Sequence, residues 1–270
     1  MTKTLYVSDL DGTLLRSDET ISDYTNAIIQ ELVAKGMIFS YATARSFQTS
    51  KKVTKGLSAK IPLIVYNGTM VVDNKDGSFL IKNFFDSDVK SMLADLLTNQ
   101  IYPITYAFLD GVEKFSYIPE KCTKGMREFI ETRKNDKREH PVLEEKDLYE
   151  GELFYITCIG EQEILEPFYE KYKETYHCVF QADIYTGYQW FEIMPKAASK
   201  ANAIRQLKER LGCDKVVVFG DGKNDIDMFE LADEAYAVEN AVEELKEIAT
   251  AVIGSNNEDG VAKWLKEYGE

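Results

Sequence analysis

Two short segments hold paired carboxylates beside glycine. Asp9-Leu10-Asp11-Gly12-Thr13 follows an apolar run at 5–8, and Gly220-Asp221-Gly222-Lys223-Asn224-Asp225 follows another at 215–219. Carboxylates two residues apart, just past a buried strand, stand side by side, and glycine lets the chain turn sharply beneath them. Such a pair can do nucleophilic or acid–base chemistry, or hold a hard cation. Two solvated acids in a turn is the plainer alternative for the first segment. An EF-hand loop is excluded there: its sixth position would be Leu14 instead of Gly, and its twelfth Thr20 instead of Glu. In the second segment, two carboxylates and the Asn224 amide crowd around two glycines. Burying those acids together is costly unless a cation neutralises them. Two histidines (His140, His177) and four cysteines without CxxC spacing leave an oxygen-only ligand set, which fits Mg²⁺.

Two further positions could bind an oxyanion. Thr43-Ala44-Arg45-Ser46 offers a hydroxyl and backbone N–H groups at a helix start; a simple capped helix explains it equally well. Lys200 opens a helix, where a cation opposes the macrodipole, so a fixed phosphate nearby would give it a reason. A plain surface lysine is its alternative, and Lys196 is its rival.

These side chains need a scaffold. The run at 5–8, a helical period at 23–35 stopped by Gly36, the apolar run 37–42, a helix capped by Ser46 and the run 61–66 form a βαβαβ rhythm. That rhythm predicts a doubly wound parallel sheet. The pattern changes at 69–81, where two short runs flank Asn74-Lys75-Asp76-Gly77, a hairpin signal. Val89, Met92, Leu93, Leu96 and Leu97 mark one helix face. Strand-like runs follow at 101–108, 112–118, 153–159 and 178–185, with a polar stretch over 120–152. The α/β rhythm returns after 191, with a helix at 199–211 closed by Gly212 and strands at 215–219, 235–238 and 251–253. The expected architecture is α/β: a discontinuous core, 1–83 plus 191–270, with an inserted α+β domain at 84–190. The basic run at 133–138 reads as a solvated face, because acids interrupt and flank it. Tyr185, Tyr188 and Trp190 read as packing residues of the inserted domain, or as liners of a cleft beside it.

Composition narrows the partners. The 270 residues carry a net charge of −14, and the greater part of it falls in 84–190. That balance disfavours nucleic acid and anionic membranes, which need an excess of Lys and Arg. The cysteines read as buried apolar residues in a reducing compartment. Residues 1–5 carry no signal-like apolar run, and no stretch reaches membrane-spanning length. The expectation is a cytoplasmic protein, with a monomer as the default.

Together the segments DxDGT, Thr43 after the second strand, Lys200 and GDxxND resemble, in order, the four motifs of the haloacid dehalogenase superfamily of phosphotransferases. Tyr66-Asn67-Gly68-Thr69, Val238-Glu239-Asn240-Ala241 and Ser255-Asn256-Asn257-Glu258-Asp259-Gly260-Val261 extend the likeness to its Cof-like phosphatases with an αβ cap (type IIB). The second motif has Ala44 where that subfamily usually has glycine. The resemblance implies a Rossmann-like core, Mg²⁺, a small phosphorylated metabolite as substrate, with sugar phosphates leading, and an aspartyl-phosphate intermediate. It implies Asp9 as nucleophile and Asp11 as acid–base. Metal ligands would be Asp9, the Asp11 backbone carbonyl and Asp221, with Asp225 in support. Leu10, Thr43, Ala44, Lys200 and Asn224 would bind the phosphoryl oxygens, and Arg45 and Asn67 would reach substrate. A sugar phosphomutase and a non-enzymatic sensor of a phosphorylated ligand are the alternatives.

Overall fold

A computed structural model describes residues 2–182 and 187–269. The chain divides into two compact units, residues 1–82 with 198–270 and residues 83–197.

The first unit begins with β1 (Thr4–Asp9), α1 (Asp23–Ala34), β2 (Ile38–Ala42), α2 (Phe47–Val53), β3 (Pro62–Val65), β4 (Met70–Asp73) and β5 (Phe79–Lys82). Ser22 and Ser46 cap α1 and α2, accepting hydrogen bonds from the amides of Thr25 and Thr49. The inserted unit holds α3 (Val89–Thr98), β6 (Ile104–Leu109), β7 (Val112–Tyr117), α4 (Lys124–Glu131), β8 (Glu139–Pro141), β9 (Glu152–Gly160), α5 (Gln162–Tyr172), β10 (His177–Ala182) and β11 (Gln189–Met194). The chain then returns with α6 (Lys200–Leu211), β12 (Lys215–Gly220), α7 (Ile226–Leu231), β13 (Glu234–Val238), α8 (Glu243–Ile248), β14 (Ala251–Ile253) and α9 (Gly260–Tyr268).

The core sheet has the order β14-β13-β12-β1-β2-β3-β4-β5. Strands β14 to β3 run parallel, and β4 and β5 add an antiparallel edge. Leu5, Val7, Leu63, Ile64, Val65 and Val218 are fully buried, as expected for strands covered on both faces. The order steps outward in both directions from β1. The strand ends beside β1 are therefore where the fold leaves a crevice for ligand.

The inserted sheet has the order β10-β11-β9-β6-β7-β8. Val89, Met92, Leu93 and Leu96 of α3 pack with Leu165 of α5 against Ile156, Cys158, Phe191 and Ile193 of the sheet, so the helix face read from the sequence is buried. Here the structure moves a boundary. A cut at 190/191 would split β11, which pairs antiparallel with both β9 and β10; the inserted unit instead ends at 197/198, beyond that strand.

Two expectations need correction. The run at 133–138 is not uniformly solvated: Arg138 is buried, bound to Asp136 at 2.7 Å and Glu113 at 2.7 Å, and Arg133 stacks over the Phe129 ring. The polar stretch 120–152 contains α4 and β8, and α5 follows β9. Pro167 inside α5 obscured the helical pattern there. Tyr188 lies against Gly125, and Trp190 meets Phe129 edge-on at 5.0 Å, both against α4. Tyr185 lies outside the described residues. Cys122, Cys158 and Cys213 are buried, Cys178 is half-buried, and all four are free thiols. Among the described residues, no helix is long and apolar enough to cross a membrane.

Candidate active site

Asp9 ends β1, and the chain then folds into a tight turn over Leu10–Leu14, closed by the Leu15 amide on the Leu10 carbonyl at 2.8 Å. Gly12 has φ +79°, which favours glycine, and a Cβ there would come within 2.2 Å of an Asp221 carboxylate oxygen. The missing side chain therefore lets Asp221, just past β12, close on the first turn. The Thr13 hydroxyl completes the join by donating to Asp221 Oδ1 at 3.1 Å.

Lys200 is buried at the start of α6. Its Nζ donates to Asp9 Oδ1 at 2.6 Å and to Asp225 Oδ1 at 2.7 Å. The other oxygen of Asp225 accepts from the amides of Asp221 and Gly222, both at 3.0 Å. Asp225 thus fixes the loop after β12 and the lysine together. The first turn of α6 is held by Ser199, which accepts from the Asn202 amide, and by Asp227, which accepts from the Ala201 amide at 3.2 Å. The rival Lys196 lies in the inserted unit, with its ammonium on the Glu174 carbonyl.

Thr43 follows β2 and is fully buried. Its Oγ1 accepts from the Arg45 amide at 3.1 Å, so the hydroxyl proton remains available to donate. Ala44 is exposed, and its φ is not positive, so alanine fits the backbone that glycine usually supplies in this motif. Arg45 grips the Asp11 carboxylate through Nε at 2.8 Å and Nη2 at 2.6 Å, and reaches Glu19 at 2.9 Å. These acids hold the guanidinium firmly protonated. Asn67 is buried just after β3, and its amide donates to the Thr43 carbonyl at 2.9 Å. Asn224 is exposed in the turn with Asp225. Leu10 buries its side chain beneath the first turn.

Ligand oxygens of Asp9, Asp221 and Asp225 lie within 4.8 Å of one another. Three carboxylates face one lysine, which leaves negative charge in excess. Burial pushes the Asp9 carboxyl well above the ordinary range; Lys200 opposes the shift, and Asp225 and Asp221 reinforce it. Burial, then Asp225, pushes Asp221 up to about 6. Burial works against the Lys200 ammonium, but Asp225 and Asp9 outweigh it and raise its pKa. A surplus of buried, oxygen-only negative charge fits a hard divalent cation.

Some contributors gave no chemical signal in the sequence. Asn240 donates to the Gly12 carbonyl at 2.8 Å, and Asn256 donates to the Leu15 carbonyl at 2.9 Å. The Asn240 side chain also accepts from the Asn256 amide at 3.1 Å. These two asparagines brace the carboxylate turn from the C-terminal loops. Arg16 and Asp259 add an ion pair at 2.8 Å beside them. Their segments 238–241 and 255–261 stood out only by resemblance, because a bracing contact over more than two hundred residues has no local spacing.

Known proteins resemble this chain over nearly its whole length. The profile of the haloacid dehalogenase-like hydrolases matches residues 6–265. The chain is 27% identical over 284 residues to the 5-amino-6-(5-phospho-D-ribitylamino)uracil phosphatase YitU of Bacillus subtilis, covering 98% of this chain and 97% of that protein. It is 28% identical over 279 residues to YwtE of the same organism, which carries the same enzyme name, with 96% of each covered. Among solved structures, Thermotoga maritima TM0651 superposes with a TM-score of 0.77 at 27% identity, over 100% of this chain and 98% of that one. A haloacid dehalogenase-like hydrolase from Bacteroides thetaiotaomicron gives 0.77 at 21% identity over 98% of each chain, a likeness of fold alone.

Proposed function

The chain belongs to the haloacid dehalogenase-like hydrolase family and is a phosphatase, and from that premise we propose that it is Mg²⁺-dependent and cleaves a small phosphorylated metabolite through an aspartyl phosphate on Asp9. The observation that carries this reading is the buried Asp9 carboxylate. One of its oxygens is held by Lys200, and its ligand atoms cluster with those of Asp221 at the parallel strand ends.

The Asp9 and Asp221 carboxylates and the Asp11 backbone carbonyl would hold Mg²⁺, with Asp225 fixing the loop that presents Asp221. When bound, the ion offsets repulsion between an anionic nucleophile and an anionic phosphate.

In the first step a free Asp9 oxygen attacks phosphorus, and the bond to the leaving oxygen breaks. Asp11 gives that oxygen its proton. In the second step Asp11 takes a proton from water, the hydroxide attacks phosphorus, and the Asp9–phosphate bond breaks to release inorganic phosphate. Lys200, the Thr43 hydroxyl, the Leu10 and Ala44 amides and Asn224 stabilise the equatorial oxygens as charge develops. Arg45 sets a condition on this cycle. Its guanidinium bonds both oxygens of Asp11, the atoms that would pass the proton. A phosphorylated substrate gives Arg45 another anion to bind and uncovers those oxygens.

A phosphorylated sugar or polyol is the favoured substrate class. YitU and YwtE, both named for a phosphoribityl substrate, support it. The test is phosphate release from a panel of sugar, polyol, nucleotide and cofactor phosphates, with Mg²⁺ and with EDTA. Mg²⁺-dependent turnover that disappears in Asp9→Asn is expected. Full turnover in that variant overturns the nucleophile assignment, and equal turnover in EDTA overturns the metal. Isomerisation of a sugar phosphate without phosphate release would make the chain a mutase.

A further inference from the structure

The turn over Tyr66–Gly68, just past β3, has three successive residues with positive φ: +50° at Tyr66, +52° at Asn67 and +89° at Gly68. Left-handed backbone is disfavoured for a residue with a side chain, because its Cβ crowds the following carbonyl oxygen. Two such residues in a row persist only where their surroundings over-determine them.

The surroundings are the backbone of two phosphate-binding segments. The Tyr66 amide donates to the Arg45 carbonyl at 3.0 Å, and the Asn67 amide to the Thr43 carbonyl at 2.9 Å. On the other side, a Cβ on Gly68 would lie 2.1 Å from the Ser199 carbonyl oxygen and 3.1 Å from the Lys200 amide nitrogen. The turn is closed by Thr69, whose amide and hydroxyl both donate to the Tyr66 carbonyl, at 3.0 and 2.7 Å. One strained turn therefore abuts the Thr43 loop and the peptide that launches Lys200. Each contact lies on the backbone, which no rotamer change can relax.

We propose that the Tyr66–Asn67–Gly68 turn is a positioning element: it sets the placement of Lys200 relative to Thr43 through the close approach of Gly68 to Ser199. Its catalytic weight rests on the phosphatase reading above. Lys200 has two short bonds to satisfy, 2.6 Å to Asp9 and 2.7 Å to Asp225. A methyl group at Gly68 would push the Ser199 carbonyl, and the start of α6 with it, away from both.

The experiment compares Gly68→Ala with Gly77→Ala. Gly77 has φ +78°, and a Cβ there would lie 2.6 Å from the Phe47 ring, so it matches the backbone strain without touching the site. With p-nitrophenyl phosphate and Mg²⁺, Gly68→Ala is expected to lower kcat about 100-fold, the scale of a 1 Å misplacement. Its KM should change less than about threefold, because the lysine is asked for most in the transition state. Orthovanadate inhibition should weaken with kcat, and inhibition by inorganic phosphate should not. Gly77→Ala should lose stability and keep kcat. Equal kcat in Gly68→Ala and wild type, or equal losses in the two variants, overturns the proposal. A crystal structure of Gly68→Ala reads the same point without activity: the Lys200 Nζ should leave hydrogen-bond reach of Asp9 or Asp225, and an undisturbed lysine overturns the proposal. Wild type inactive on every phosphoester defeats the phosphatase reading instead and leaves the crystallographic test standing. If Gly68→Ala does not fold, hydrogen exchange on wild type decides. Mg²⁺ with orthovanadate should slow the Tyr66 and Asn67 amides together with the start of α6, and unchanged exchange at 66–67 overturns the proposal.

Discussion

Among the described residues, each unit buries a basic side chain between two carboxylates: Lys200 between Asp9 and Asp225 in the core, Arg138 between Glu113 and Asp136 in the inserted unit. Arg138 spends its planar fork on both oxygens of Asp136 and one of Glu113, with partners 2 and 25 residues away. That cluster is local, a clip holding the approach to β8 against β7. Lys200 is a point charge, and one of its partners is 191 residues away. A third carboxylate, Asp221, stands beside the pair with its pKa raised to about 6. The same ingredients give a structural fastener where a cation meets two nearby acids, and the candidate site where a third carboxylate joins partners distant in sequence.

Removing the nucleophile should have the largest effect. Asp9→Asn should cost at least ~10⁴-fold in phosphate release while the circular dichroism spectrum stays native. Lys200→Met comes next. It should lower kcat about 10²–10³-fold and destabilise the fold by about 3–5 kcal/mol, because it strands two buried acids; urea unfolding and steady-state kinetics read the two losses. Arg138→Met should cost a similar about 3–5 kcal/mol and leave the kcat of the folded protein unchanged. A kcat loss there would erase the contrast between fastener and site.

The pH response should be smaller. The Asp221 carboxyl titrates at about 6 in the folded protein and near 4 when unfolded. Between those values the folded state binds more protons, so stability of the metal-free protein should fall as pH rises through that window. Saturating Mg²⁺ should flatten the slope in urea-midpoint measurements, and Mg²⁺ affinity should weaken as pH drops below about 6. A stability slope of opposite sign would mean that the surplus charge is already answered. Smallest of all, Ala44→Gly should change kcat less than about threefold and cost no more than about 1 kcal/mol, since Ala44 needs no positive φ.

Legibility followed the range of the interactions. Asp9, Asp11, Thr43, Asp221 and Asp225 could be read because strand ends, glycines and carboxylates form local spacings. Lys200 stood out as a cation at a helix start, and the resemblance favoured it over Lys196; four residues apart in sequence, the two lie in different units. The α4 helix went unread because it is short and predominantly polar despite its amphipathic face, β8 because it spans only Glu139–Pro141, and α5 because Pro167 interrupts its pattern. The end of the inserted unit was misplaced because β11 looks like any buried strand until its partners β9 and β10 are known.

The sequence by itself determined the chemistry available and the α/β rhythm that carries it, since motif spacing and apolar periodicity are properties of the chain. The tertiary structure alone decided the electrostatics. Which acids are buried, which share Lys200, that Arg45 holds Asp11, and that Asn240 and Asn256 brace the first turn all depend on contacts between distant segments. Burial sets the cost of a charge and distance sets its compensation, and neither exists until the sheet has brought its strand ends together.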